Sequence, residues 1–375
     1  MMRQVKISSW LARVVVCSLL LAAGCAPLGE EVAKPQVELE KQIPEAVAEE
    51  AAPAPTEEVA KAEVKLEKQI PEAAAAEEAA TLALKFTPQD STRYKAIREI
   101  KRSVKWEGAV PKEDTFKPGR NHDRIEMTFT QHIQSTDEKG NAIAKITIEG
   151  IKYYSMVKDK LIMDFDSSRE KSPNNPLTLL IGQSYTIEIA PTGEVTKVIE
   201  VKQARTTVRR GPSMPRRALI LLRSDVIKKR HGIIALPTTD KSQLRTGDNW
   251  SKIKTFSFGS MGPKSYEKIY TLKEVQDMDN RQIAVVEMNA IPSSEMTEEL
   301  YKQQVTADLS EKFDNIITYT GQLKLDLTTG KVEKYFERLQ SKWIAALPSA
   351  KQEAEEEIAV LTMSDTRFNS LEKID

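Results

Sequence analysis

The chain has 375 residues, 55 basic against 55 acidic side chains, 40% hydrophobic residues and only 6% aromatic ones. That length allows one large domain or two ordinary ones. No apolar stretch reaches the roughly 18 residues of a membrane-spanning helix, which excludes a polytopic membrane protein. Two cysteines and three histidines are too few for a disulfide scaffold or a Cys/His zinc module.

The first element is an address. Arg3, Lys6 and Arg13 precede the apolar run Val14-Val15-Val16-Cys17-Ser18-Leu19-Leu20-Leu21-Ala22-Ala23, which ends in Gly24-Cys25. A basic start, ten mostly apolar residues and small residues before a break predict a secretory signal. The ending Leu21-Ala22-Ala23-Gly24-Cys25 resembles a bacterial lipobox, with Ala22 at the position where that motif favours Leu. The resemblance implies that residues 1–25 are a lipoprotein signal peptide with lipidation at Cys25, the mature N-terminus. A thiol is needed there because a thiolate is the nucleophile that accepts the lipid. Cys17 lies within the removed segment, which leaves Cys25 without a disulfide partner. Three acyl chains, as the resemblance implies, make a permanent membrane anchor, each buried CH₂ contributing about 0.8 kcal/mol. Ala26-Pro27 follows the cysteine, without the Asp of inner-membrane retention. The expected home is therefore the cell envelope, at the outer membrane rather than the inner, facing the periplasm or the exterior.

Residues 26–85 read as a disordered acidic tether. Between 26 and 80 there are 14 Glu, 5 Lys, no Asp and no aromatic residue, a net charge of −9. Residues 37–46 recur at 64–73 with only Glu38 and Lys65 differing, but two copies of a 27-residue period are too few for a solenoid. Such a composition does not offset the entropy of ordering.

Residues 86–375 read as a β-rich body. Residues 124–135 alternate, with Ile125, Met127, Phe129 and Ile133 apolar, and the turn Asp137-Glu138-Lys139-Gly140-Asn141 leads into a second alternating arm over 142–151. Leu161, Met163 and Phe165 alternate again, and residues 184–189 lead through Ala190-Pro191-Thr192-Gly193 into 194–201. The second half repeats the design around the turn Asp277-Met278-Asp279-Asn280. Residues 141–151 align with 281–291, and Gly182-Gln183 with Thr192-Gly193 answers Gly321-Gln322 with Thr329-Gly330, at offsets of 140, 139 and 137. A duplicated unit is expected, with halves at about 90–201 and 245–345 and a basic helical connector over 202–231. Helices are read over 213–230, started by Ser213 and Pro215, and over 294–312. The predicted class is α+β: a mostly antiparallel β-sheet built from two similar halves with a few covering helices, half-barrel or sandwich-like.

Several turn and strand motifs, Asp164-Phe165-Asp166-Ser167-Ser168, Leu180-Ile181-Gly182-Gln183, Pro191-Thr192-Gly193-Glu194-Val195 and Thr246-Gly247-Asp248-Asn249-Trp250, with Thr329-Gly330-Lys331-Val332, span roughly residues 90–345. By these the chain resembles a family of uncharacterised bacterial lipoproteins. The resemblance implies the duplicated β-rich architecture and brings no activity and no binding residue with it.

Chemistry-bearing motifs are sparse. No phosphate-cradling glycine loop and no Gly-x-Ser-x-Gly occurs, and five Ser-x-x-Lys matches lack their companions. His122 and His132 offer a metal pair, and Asp164 with Asp166 a Ca²⁺ or paired-carboxylate site, each against the plainer reading of solvated strand residues. Trp250 reads as a core ring or as a sugar-stacking platform. The connector is the most distinctive stretch, with ten cations against Asp225 between 202 and 230. Leu219, Leu222 and Val226 form a helical stripe for the sheet. Arg209, Arg210, Arg216, Arg217, Arg223, Lys228, Lys229 and Arg230 are the candidate patch for an anionic partner, against the alternative of a solvated helix face.

These readings converge on a membrane-anchored envelope lipoprotein that works as a non-catalytic binding or structural module, without cofactor or metal. Expected partners are the membrane, through the N-terminal lipid, and anionic lipid, wall polymer or an envelope protein. Nucleic acid is not expected, because no aromatics interleave the cations. The alternatives are a carrier of a hydrophobic or lipid ligand, which requires a large apolar cavity, and an enzyme of unknown class.

Overall fold

The computed structural model describes residues 79–108, 116–169, 175–211, 215–295, 312–347 and 359–374. The chain divides into two units, Met1–Gln69 and Ile70–Asp375, and every described residue belongs to the second. Cys25 and the repeated segments of the tether lie outside the described residues.

Period-2 patterning produces strands along most of this unit. A short β1 (Ala80–Thr81) precedes β2 (Ser91–Glu107), β3 (Gly119–Thr136), β4 (Ala142–Val157), β5 (Lys160–Asp166), β6 (Ser184–Ile189) and β7 (Val195–Glu200). The connector carries three helices, α1 (Lys202–Arg209), α2 (Arg216–Leu221) and α3 (Ser224–His231). Then follow β8 (Gln243–Leu244), β9 (Asn249–Ser257), β10 (Pro263–Met278), β11 (Arg281–Ser293), β12 (Asp314–Asp326), β13 (Lys331–Leu347) and β14 (Ala359–Ile374).

Apart from the small β1–β8 pair, the strands form one antiparallel sheet of twelve. Its order is β7-β6-β4-β3-β2-β14-β13-β12-β11-β10-β9, with β5 paired to the outer part of β4. The sheet is open and does not close into a barrel. β2 meets β14 in its middle, from Arg93 opposite Ile374 to Glu107 opposite Val360. The mostly antiparallel, helix-poor class expected from the sequence is what the chain forms.

One apolar cluster lines the inner face, from Phe129, Ile146 and Ile187 in the N-terminal half to Tyr270, Leu323 and Leu339 in the C-terminal half. Val208, Leu221, Leu222 and Ile227 of the connector, with Leu236 just after it, belong to the same cluster. A smaller one gathers Trp343, Leu361, Met363 and Met261 with Trp106 and Phe258.

Three elements differ from the sequence reading. The single helix expected over 213–230 is two short ones, because Arg223 is extended, with ψ 141°. On one straight helix Leu221, Leu222 and Ile227 would spread around the axis; the break lets all three be buried. α1, before them, lies within the helical connector expected over 202–231 but outside the helix read over 213–230. The tether also ends before residue 85: Ala80 pairs with Leu244, Leu82 is fully buried, and Leu84 N–H donates to Pro191 O at 2.8 Å. Leu82, Leu84 and Phe86 alternate like any half-buried strand, a signal hidden beneath the alanine-rich composition. The helix expected over 294–312 falls almost wholly outside the described residues, and β11 runs through to Ser293.

The β6–β7 turn seats the connector. Gly193 has φ +76°, and Ile233 N–H donates to its carbonyl at 2.8 Å. A Cβ on Gly193 would lie 2.6 Å from Ile233 O, so Gly193→Ala meets both a disfavoured backbone and a clash. Urea unfolding is expected to register a loss of about 1–3 kcal/mol for this substitution. A loss below about 0.5 kcal/mol would contradict the close seating of the connector.

Candidate functional site

The sharpest concentration of chemistry lies inside the C-terminal half, on residues that the motif search passed over. Along β10, Tyr266, Lys268, Tyr270 and Leu272 share the buried face; along β13, so do Tyr335, Glu337, Leu339 and Trp343. A lysine and a glutamate therefore stand in phase with apolar stripes, and the sheet brings them together. Lys268 Nζ lies 2.7 Å from Glu337 Oε1, and Lys268 has no exposed surface. Tyr270 donates to Glu337 Oε1 at 3.2 Å and Tyr319 to Oε2 at 2.8 Å. The ammonium also sits 5.3 Å from the Tyr270 ring centre and 6.0 Å from that of Tyr319.

Burial alone would raise the Glu337 pKa, but the Lys268 charge and the donated hydrogen bonds outweigh it and keep the carboxyl below its ordinary value. Burial, together with the facing carboxylate, pushes the hydroxyls of Tyr270, Tyr319 and Tyr335 up. At neutral pH Glu337 is therefore a carboxylate and the three tyrosines are neutral phenols.

The segment after α3 packs beside this cluster. Trp250 stacks on Tyr270 with ring centres 5.7 Å apart and donates from Nε1 to Ala235 O at 3.0 Å. Of the two sequence readings for Trp250, the core ring is the one realised. Lys252 Nζ donates to Leu236 O at 2.7 Å, and its pKa is lowered by burial and then by Lys268.

In the N-terminal half α3 plays the corresponding part. His231 is buried, its Nε2 lies 2.8 Å from the Tyr185 hydroxyl, and its ring meets Phe129 edge-on at 4.6 Å. Arg230 donates to the same hydroxyl at 3.1 Å and to Leu221 O at 2.9 Å. A small cavity of about 30 Å³ is lined by His231, Tyr94, Gln131 and Lys331 among others.

The cations singled out in the connector divide. Arg217 lies over the Tyr153 ring at 5.9 Å, Lys228 donates to Thr196 O at 2.6 Å, and Arg230 is held as described. Arg223 grips Asp225 with two bonds of 3.0 Å. Arg209, Arg210, Arg216 and Lys229 are exposed, with no ion pair or hydrogen bond to a described residue. His122 and His132 do not meet: the first faces Glu99 at 2.7 Å and the second Ser91 at 2.9 Å. Asp164 and Asp166 share Arg169, at 3.3 and 3.5 Å. The described residues bring together no cluster of three metal-ligating side chains, and no described helix is long and apolar enough to cross a membrane.

No protein-family model matches the chain, and no curated protein matches it. Among solved structures the chain is similar to one on lipid–protein interactions in lipovitellin, at 10% identity and a TM-score of 0.35. That similarity covers 78% of this chain and 26% of the other, so the chain spans about a quarter of that protein's length. It is also similar to DynF from the dynemicin biosynthesis pathway of Micromonospora chersina, at 8% identity and a TM-score of 0.15, over 82% of this chain and 91% of the other. Neither similarity is close enough to carry a function across.

Two expectations follow. Lys268→Met or Glu337→Gln alone leaves an uncompensated buried charge and should cost about 3–5 kcal/mol, while Lys268→Met/Glu337→Leu together should cost far less. Urea unfolding of the three variants reads this, and additive losses would show that the pair does not act as a unit. For His231, burial first and the Arg230 charge second hold the folded-state pKa well below 6.5. The unfolded chain then binds a proton that the folded one refuses, so stability falls as the pH drops below about 6.5. The expected slope is up to about 1.4 kcal/mol per pH unit, and it should vanish in His231→Gln. An unchanged slope in that variant would assign it to other groups.

Proposed function

We propose that the chain is a membrane-anchored lipoprotein of the cell envelope, held by lipid on Cys25, whose β-rich unit acts as a binding or structural module without catalysing a reaction. One observation supports the second part above the others. The connector helices pack into the inner face of the N-terminal half, and in the C-terminal half the groups best suited to chemistry satisfy one another. Glu337 accepts from Lys268, Tyr270 and Tyr319, and the space beside them is too small for a substrate. What is presented outward is charge, on Arg209, Arg210, Arg216 and Lys229. Beside the Glu337 cluster, among the described residues, there is no room for a carried acyl chain, which needs a cavity of roughly 300 Å³ or more.

The two-halves reading belongs here as well. Strands β3-β4-β6-β7 and β10-β11-β12-β13 are each laid side by side in the same order. Gly182 N–H donates to Ile148 O, and Gly321 stands opposite Met288, which is 140 positions beyond Ile148. Turns at Gly193 and Gly330, both with positive φ, close the corresponding hairpins. The agreement of register supports descent from one repeated unit.

Metabolic feeding with a radiolabelled fatty acid tests the anchor. Label is expected on the wild-type chain and not on Cys25→Ala, and equal labelling of both would overturn the anchored reading. Native mass spectrometry of the same material tests the module: a co-purifying lipid in the sheet unit would favour the carrier instead.

A further inference from the structure

The β4–β5 hairpin carries an exposed apolar tip. Val157, Leu161 and Ile162 stand 43%, 60% and 47% exposed within six residues of one another, flanked by Lys158 and Lys160. Single exposed apolar side chains are ordinary, but three together on one protrusion are not scattered. The hairpin register explains them. Met156 pairs with Leu161 and Ser155 with Met163, so Ile162 forms a bulge and two adjacent apolar side chains are turned out.

The tip is held stiffly. Lys158 and Asp159 form a tight turn with φ 49° and 63°. Asp159 takes the Arg120 guanidinium at 2.5 Å and its backbone N–H at 3.1 Å, while Lys158 N–H donates to Asn121 Oδ1 at 2.9 Å. Beside it stands α2, whose Arg217 lies 3.9 Å from Met163 Sδ on β5. Between Lys202 and Leu221 there are six cations and no acidic residue, and Ile220 is exposed on α2 as well.

We infer that the β4–β5 tip inserts into the interfacial layer of an anionic lipid bilayer, with the α1–α2 cations resting on its headgroups. The chemistry suits a membrane surface. A convex apolar point flanked by lysines buries its side chains among acyl chains while the ammonium groups stay at headgroup level. The exposed cations Lys202, Arg209, Arg210 and Arg216, from a segment of the chain without acidic residues, suit the negative surface potential. The inference rests on the membrane-anchored reading for its biological setting, but its physical content does not need the lipid on Cys25.

The test uses the full chain with Cys17→Ala and Cys25→Ala, so that acylation is absent and the leader is common to every arm. A nitroxide-sensitive fluorophore is placed on Lys160→Cys, and the chain is mixed with phosphatidylcholine vesicles containing or lacking phosphatidylglycerol. Strong quenching by lipid carrying a shallow nitroxide is expected only with phosphatidylglycerol present. Leu161→Glu/Ile162→Glu should lower binding to those vesicles about tenfold or more relative to the parent chain. Both positions are exposed, so the variant should unfold at the same urea midpoint; if it does not, the quenching result decides alone. Binding without quenching would overturn insertion while leaving the cationic patch as a purely electrostatic contact. Equal quenching on neutral vesicles would overturn the role of the cations. None of these outcomes depends on whether Cys25 is acylated in cells.

Discussion

The unit exists as one body because β2 pairs with β14. Every other neighbour in the long sheet is close in sequence, whereas this ladder joins the first long strand to the last. Closing so large a loop is entropically costly, and the ladder must supply specific compensation. Its side chains are matched across it: Arg102 with Asp365 at 2.8 Å, Ser103 with Ser364 at 2.8 Å, Lys95 with Glu372 at 3.2 Å. At one end Val104 and Trp106 pack with Leu361 and Met363 in the smaller apolar cluster. Pairing in the middle also removes two potential sheet edges, leaving β7 and β9 as the ends. β7 is covered by α3, through the Lys228 bond to Thr196 O.

The two halves bury their inner faces by different means. The N-terminal half uses helices: α3 places Ile227 and His231 against Phe129 and Tyr185. The C-terminal half instead uses polar groups that neutralise one another, with Lys268 and Glu337 at the centre and tyrosines around them. A buried ion pair is a poor source of net stability, since desolvation consumes most of the Coulombic gain. Its value is in register. A slip of one residue in β10 or β13 would turn one charge to solvent and leave the other unpaired in the core, so the pair admits a single alignment of the strands. The segment after α3 ties the halves together, since Ala235 and Leu236 accept from Trp250 and Lys252 while Ile233 is bonded to Gly193.

Much of this was legible in the sequence. The alternation around Phe129 and Ile146, the turns at Asp137 and Asp279, and the antiparallel class follow from period-2 patterning and turn chemistry. The Lys158-Asp159 turn was not flagged, because neither residue belongs to the Gly/Asn pairs that mark such turns. The ion pair was missed for another reason. Lys268 sits in Tyr266-Glu267-Lys268-Ile269-Tyr270, where either phase reads plausibly, and its partner is far away in sequence. The usable signal was a charge falling in phase with the apolar stripe on two separate strands. The order of strands across β2 and β14 lies in no local pattern at all, since it depends on pairing between distant segments.

The connector shows why a charge run is an unreliable guide to a binding surface. α2 is only six residues long, so its terminal carbonyls have no partners within the helix. Arg205 reaches Leu222 O with two nitrogens, at 3.1 and 2.8 Å, and Arg230 reaches Leu221 O. These guanidiniums stand in for the hydrogen bonds that another turn of helix would have made, and their charge suits the negative end of the helix dipole. Breaking the connector into short helices, which buries Leu221, Leu222 and Ile227 together, thus itself creates a demand for cations. Part of the basic composition between 202 and 230 answers that demand. Five cations, Lys202, Arg209, Arg210, Arg216 and Lys229, are left exposed with no such task among the described residues, and of these Lys229 still acts on the Asp225 carboxylate.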